Sequence, residues 1–322
     1  MEARLILTSK YSPFVIALFV SVSFLIVFFL LSALGLIQSS STYEIIGSAS
    51  RWCETVSGGL FREPVNTLSN LGFMVMGLYM FWMISNESRN IDNPFFGVTL
   101  ISILYASAAV FLGPGSMLMH GTNAEWGAWA DNLSMVMYIV IPWLYNIYRM
   151  TNWSELKFIK IYVCIIVIYS IWRWFTDFNL GIGFNLFSVS IGLWFISEVL
   201  YKFWSPTFRF LSGFTGFFVL ALFGFTPMEV FDNLSDYWWV LLFWLPGLLA
   251  NSKPKGTRTY KWYLLGMISY FSAFTIWSYG VPDDPFCKPD SLIQAHGIWH
   301  LLTALATYFF FLHHRSELST QN

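Results

Sequence analysis

The chain has 322 residues, of which 56% are hydrophobic, 20% aromatic and only 11% charged. A soluble domain carries about 25% charged residues to cover its surface, so this composition excludes an ordinary soluble fold and indicates an all-α integral membrane protein. A net charge of −1 supplies no basic surface and argues against a nucleic-acid partner.

A spanning helix needs about 20 mostly apolar residues. Ten segments qualify or come close: 14–37, 64–84, 94–119, 127–148, 158–175, 182–203, 209–226, 237–250, 260–279 and 294–312. The first run, Phe14 to Ile37, exceeds the ~7–15 residues of a signal-peptide core and reads as a retained anchor helix within 1–45. The eighth, 237–250, is short and alternatively re-entrant. Residues 314–322 read as a tail.

Lys and Arg set the orientation. With a cytoplasmic N-terminus and ten spans, thirteen of the seventeen basic residues fall inside, and only Arg51, Arg62, Arg173 and Lys288 fall outside. Both termini are therefore expected in the cytoplasm. Cys53 and Cys287 then share the outer side, where disulfides persist in oxidising compartments. The expectation is a Cys53–Cys287 bridge, with two unpaired thiols as the alternative. No cysteine sits in a CxxC pair, which argues against a thiolate zinc site. Cys164, in mid-helix, reads as a small buried apolar residue.

Ionisable groups within a bilayer are costly and need partners. Arg173 and Asp177, and Glu198 and Lys202, stand four apart and read as helix-surface ion pairs. Asp131 has no such local partner. Upstream of it runs Gly113-Pro114-Gly115-Ser116-Met117-Leu118-Met119-His120, in which Gly-Pro-Gly is expected to loosen the helix. Ser116 and His120 share a face at i, i+4, and a short turn brings Asp131 level with them.

The last helix opens with His296-Gly297-Ile298-Trp299-His300, which places two imidazoles on one face. On its own, HxxxH equally fits two histidines hydrogen-bonded to neighbours. Orientation puts this motif and His120 on the same outer side. Three imidazoles leave the fourth position of a tetrahedral Zn²⁺ open, as in catalytic sites. His313 and His314, at the opposite end, read as a solvated helix terminus favoured by the dipole.

Three blocks carry a family resemblance: Trp52-Cys53-Glu54 with Glu63-Pro64-Val65-Asn66-Thr67-Leu68-Ser69-Asn70; Gly113 to His120 with Asp131; and His296-Gly297-Ile298-Trp299-His300-Leu301-Leu302-Thr303. In their order and internal spacing they resemble the alkaline ceramidase family, part of a larger superfamily of membrane hydrolases that includes the adiponectin receptors. The likeness covers roughly 50–150 and 260–313. It implies a seven-helix core within 46–313, zinc on His120, His296 and His300, Ser116 and Asp131 as catalytic partners, and a membrane lipid such as ceramide as substrate. The same resemblance pairs a cysteine of the first block with one before the last helix.

Three features depart from the family pattern. An extra helix precedes the core, and about two extra helices lie within 150–260, making about ten in all. Some relatives bind Ca²⁺ through acidic residues around the first block, which points here to Trp52, Glu54 and Glu63. Arg51, however, stands where an Asp is expected, and the Trp52–Glu63 segment is shorter. Solvation, and for Glu63 a helix N-terminus, explain the two glutamates equally well. Other readings of the whole chain are a hydrolase of a different amide- or ester-linked lipid, a zinc-containing receptor with little turnover, and a transporter. The last would show internal repeats, and none is evident.

Overall fold

The structure, a computed structural model, describes residues 12–37, 45–46, 49–90 and 92–319. The outer parts of the expected leading segment and tail (1–11, 38–44 and 320–322) lie outside the described residues. In chain order the elements are α1 (Ser12–Ala33), β1 (Ile45–Ile46), β2 (Ala49–Ser50), α2 (Pro64–Ser69), α3 (Leu71–Asn86), α4 (Leu100–Thr122), α5 (Glu125–Arg149), α6 (Glu155–Phe175) and α7 (Leu186–Phe203). There follow α8 (Phe208–Leu211), a 3₁₀ turn (Ser212–Thr215), α9 (Gly216–Leu222), α10 (Pro227–Asp232), a 3₁₀ stretch (Trp238–Trp244) and α11 (Leu245–Leu249). The chain ends in β3 (Gly256–Thr257), α12 (Lys261–Ser278), α13 (Ala295–Arg315) and β4 (Leu318–Ser319). The strands form two small antiparallel pairs, β1 with β2 and β3 with β4.

All ten expected segments contain helix. Among the described residues, six are long and apolar enough to cross a membrane: α1, the α2–α3 pair, α4, α6, α7 and α13. Helix α5 has 25 residues and α12 has 18, so both have spanning length, but their sequences are less apolar. The segments 209–226 and 237–250 are broken into short helices and 3₁₀ turns.

Two compact units divide the chain. In the first (Met1–Ser134 with Arg258–Glu317), α12 and α13 pack side by side, α3 runs along α4, and α13 crosses α2 and α3. Small residues allow the close approaches. A Cβ on Gly77 would stand 2.5 Å from Val110 on α4, and one on Gly113 would stand 2.5 Å from Met74 on α3.

The Gly113-Pro114-Gly115 stretch does not loosen the helix as expected, because α4 runs unbroken through Pro114. Its glycines serve helix contact instead: Gly113 faces α3, and Gly115 faces Ser134 and Ala130 on α5. This neighbouring support lets a buried helix tolerate the proline. Asn123, left-handed at φ 55°, caps α4 through its N–H to Met119 O, and α5 starts two residues later.

His313 and His314 do not form the expected solvated terminus. Both are fully buried rather than solvated. His314 stacks on Phe95 at 4.9 Å, and His313 Nδ1 lies 3.2 Å from Thr259 O. Asn93 Nδ2 faces the carbonyls of His314, Arg315 and Glu317, so the segment before α4 covers this helix end.

In the second unit (Met135–Thr257 with Leu318–Asn322), Ile196, Leu220, Val230, Val240 and Phe243 form a core. Glu198 is not on a solvated helix surface. It is 2% exposed, and its Oε2 accepts from Asn146 Nδ2 at 2.9 Å. A buried carboxylate needs such donors, and sequence spacing along one helix cannot reveal a donor on another. Arg173 is likewise buried and donates to Thr176 O, while Asp177 folds back to accept from the N–H groups of Asn179 and Gly181. Cys164, expected to be buried, is exposed on α6.

Candidate metal centre

The centre lies wholly within the first unit, where the ends of α4 and α13 meet the loop that precedes α2. Cys53 and Cys287 are joined by a disulfide, with their Cα atoms 5.6 Å apart. Beside it, Thr55 N donates to Pro289 O and Thr55 Oγ1 donates to Asp290 Oδ1. The loop carrying Trp52 and Glu54 is thus fastened to the segment that leads into α13. Gln294 completes that segment. It is buried, and its Nε2 faces the carbonyls of Lys288, Pro289 and Ser291.

His120, from the last turn of α4, meets His296 and His300, from the first turns of α13. One potential ligand atom from each lies within 4.8 Å of the others, and all three residues are buried. The Nε2 atoms of His120 and His296 are 3.2 Å apart. Two nitrogens bound to one tetrahedral zinc at 2.0–2.1 Å would stand about 3.3 Å apart, so this spacing fits a shared cation.

The outer nitrogens support the same reading. His120 Nδ1 donates to Glu63 Oε2 at 2.8 Å, which leaves Nε2 as a lone-pair donor to the centre. His300 Nδ1 lies 2.8 Å from Ser69 Oγ. Ser69 Oγ–H is engaged with Asn66 O at 3.0 Å, so the serine accepts from Nδ1–H, and His300 Nε2 also turns its lone pair inward. Carboxylates and hydroxyls that orient ligating imidazoles in this way are the usual outer shell of a metal site.

Ser116, one turn before His120, is buried with Oγ 3.5 Å from His300 Nε2. Asp131, on the facing turn of α5, hydrogen-bonds Ser116. Trp52 floors the site, its ring 4.9 Å from that of His120 and 5.0 Å from that of His296. The exposed Arg51 guanidinium lies 5.3 Å above the same indole.

Glu54 and Glu63 are buried rather than solvated. Glu54 accepts from Val65 N at 2.7 Å and from Asn66 N at 2.8 Å, satisfying the first amides of α2 from a distance in sequence. Burial pushes its carboxyl above the usual range, against the opposing pull of those two amides. Glu63 Oε2 is shared between His120 Nδ1 and Asn66 Nδ2. Asn66 and Ser69 stand in the first block of the resemblance, but their spacing alone gave them no role at the site. A signal was present: Glu63, Asn66, Ser69 and Asn70 recur at helical spacing, a polar stripe at the head of a segment that is apolar from Leu71 on.

Ser116, His120, Asp131, His296 and His300 are thus in one place, with Trp52 and Glu63 against them and Glu54 one layer behind. A site of this build can hold a divalent cation on three neutral nitrogens, with a carboxylate and a hydroxyl on one side. Comparison with known proteins finds that the model of a family described as Ceramidase matches residues 45–321. No curated protein matches the chain.

Proposed function

Because this chain belongs to the ceramidase family, we propose that it is a zinc-dependent intramembrane amidohydrolase that cleaves the N-acyl bond of ceramide. Water adds across the amide, releasing a fatty acid and a sphingoid base. The observation that carries this reading is the convergence of three buried imidazoles beside Ser116 and Asp131.

Zinc, when bound by His120, His296 and His300, supplies a Lewis acid that polarises a carbonyl and lowers the pKa of water toward ~7. The remaining work falls to the chain's own groups. Asp131 accepts a proton from the attacking water and returns it to the leaving amine, general acid–base chemistry worth about 10²–10⁴ in rate. Ser116 donates a hydrogen bond to the developing oxyanion, and loss of such a donor costs about 10²–10³ in kcat. Glu63 and Ser69 keep the His120 and His300 rings in the tautomers that face the centre. Trp52 covers the cluster and limits water to one side.

We read Glu54 as a cap of α2 and Glu63 as a histidine holder through Oε2, while Glu63 Oε1, buried without a hydrogen-bond partner among the described residues, keeps Trp52, Glu54 and Glu63 as a candidate calcium site. For the membrane arrangement we propose a seven-helix core within 46–313, an N-terminal helix before it and about two inserted helices within 150–260. Both termini would then be cytoplasmic, with the site toward the extracytoplasmic side.

The test is incubation of purified protein with ceramides labelled in the acyl chain, followed by product analysis with and without a chelator. Labelled fatty acid that vanishes with chelator and returns with added zinc is the expected result. Metal retained with no release from ceramide, but release from another N-acyl or ester lipid, would shift the substrate. Metal retained with no hydrolysis of any lipid would favour a receptor.

A further inference from the structure

Helix α1 lies outside the residues matched by the family, yet it sits directly behind the metal centre. Among the described residues its buried positions are Ser12, Ser21, Phe28 and Ser32. The helix packs against α3 and α4, and Phe28 is the one large side chain it buries among the described residues. The Phe28 ring lies against Gly121, the residue after His120. A Cβ at Gly121 would stand 2.5 Å from Phe28 Cζ, so the glycine makes the seat for the ring. Phe28 also stacks on Phe61, with centroids 5.2 Å apart and planes 8° from parallel, and Phe29 meets the Phe61 ring edge-on at 5.0 Å. Met74 and Met117 close the cluster.

Phe61 leads directly into the groups that hold His120. Arg62 N donates to Gly121 O at 3.1 Å, and Glu63 N donates to His120 O at 3.0 Å. Glu63 then turns its carboxylate onto His120 Nδ1 at 2.8 Å. Residues 61–63 are therefore strapped to the end of α4 by two backbone bonds, one carboxylate–imidazole bond and the aromatic stack. Phe28 touches both sides of that strap, the Gly121 backbone on one and the Phe61 ring on the other. Remove the ring, and the loop keeps its hydrogen bonds to α4 and the Phe29, Met74 and Met117 side of the cluster but loses the stack that joins Phe61 to Gly121.

From this geometry we propose that α1 is a brace for the Glu63–His120 pair, with Phe28 a positioning residue for the metal centre and not only part of a membrane anchor. The proposal rests on the metal reading above for its functional consequence. Its structural core, the clamping of residues 61–63 onto 120–121, can be measured without metal.

The experiment uses the full-length protein in detergent or nanodiscs, comparing Phe28→Ala, Phe28→Leu, Gly121→Ala and the Phe28→Ala/Gly121→Ala double variant. Phe19→Ala serves as control, since Phe19 lies on the exposed side of the same helix at 72% exposure. In metal-free protein, hydrogen exchange by mass spectrometry over the peptide spanning 61–66 should speed up in Phe28→Ala, less so in Phe28→Leu, and not in Phe19→Ala. Zinc affinity, measured by chelator competition, should fall about 10–100-fold in Phe28→Ala, the range seen when groups behind a metal ligand are removed. Gly121→Ala should also weaken zinc binding, and less so once Phe28 is already Ala, because the added methyl no longer meets the ring. Unchanged exchange at 61–66 in Phe28→Ala overturns the brace whatever the metal result. Wild-type protein that binds no zinc overturns the metal reading and leaves the exchange result to decide the brace. Wild-type zinc affinity in a Phe28→Ala protein with faster exchange overturns the link between the two.

Discussion

Each of the three imidazoles has a distinct environment, and the difference predicts how each will respond to substitution. His120 is held by the Glu63 carboxylate and His300 by the Ser69 hydroxyl, whereas His296 Nδ1 is buried with no hydrogen-bond partner among the described residues. His300→Ala should abolish zinc retention through dialysis, read by metal analysis, and abolish amide hydrolysis with it. Asp131→Asn should keep the metal and lose turnover by at least about 10², the scale of general acid–base catalysis. Full turnover in a folded, zinc-loaded Asp131→Asn protein would contradict the assignment. Ser69→Ala tests the outer shell. It should weaken zinc binding about 10-fold or more, with the Ser69→Thr hydroxyl restoring most of the loss. Equal affinity in all three proteins would mean that the serine does not set the His300 ring. The three histidines were legible in the sequence because helical spacing and charge orientation placed them on one side. The Ser69 and Glu63 contacts were not, since each joins elements far apart in the chain and no local pattern encodes which partner a buried hydroxyl or carboxylate meets.

At the scale of elements, α2 is the most informative. It has six residues, too short to be stable alone, and Pro64 occupies its start, where a missing N–H costs nothing. Its next two amides are satisfied by Glu54, so an acidic loop residue eleven positions upstream fixes the helix that carries Asn66 and Ser69. Glu54→Gln replaces one carboxylate oxygen by an NH₂ that cannot accept, leaving a buried amide unpaired. The expected cost is about 1–3 kcal/mol, read from thermal melting in detergent. The pH dependence follows from burial. A carboxyl raised above its ordinary 4.5 binds its proton more tightly when folded than when unfolded. Its contribution is therefore fully present below that value and declines as pH rises through the folded one. The Gln variant should lose that part of the slope, and an identical slope in both proteins would show that Glu54 does not titrate with folding. Several helical segments were readable from apolar runs alone. What was not readable was continuity: α4 stays intact through Pro114 because α3 and α5 flank its glycines, while 209–226 breaks into short pieces although its composition resembles a span.

For the molecule as a whole, the long-range tie is the bond between Cys53 and Cys287, separated by 234 residues. The sequence placed both on one side but left free thiols open as the alternative. The decisive information was three-dimensional, since the same strip also carries the Thr55 contacts to Pro289 and Asp290. A crosslink acts largely by restricting the unfolded chain, typically by 2–4 kcal/mol. In detergent or lipid the helices between the two cysteines keep much of their structure after unfolding, so less entropy is removed and the effect should fall near the lower figure. The bond also does local work: it holds the loop of Trp52 and Glu54 against the entry to α13, one turn from His296. Reduction, or the Cys53→Ser/Cys287→Ser pair, should therefore lower the melting temperature and also weaken zinc affinity, and the second effect should exceed that of a distant destabilising change matched for melting temperature. A lower melting temperature with wild-type zinc affinity would assign the bond to stability alone. If both remain unchanged, the hydrogen bonds of Thr55 suffice to hold the strip.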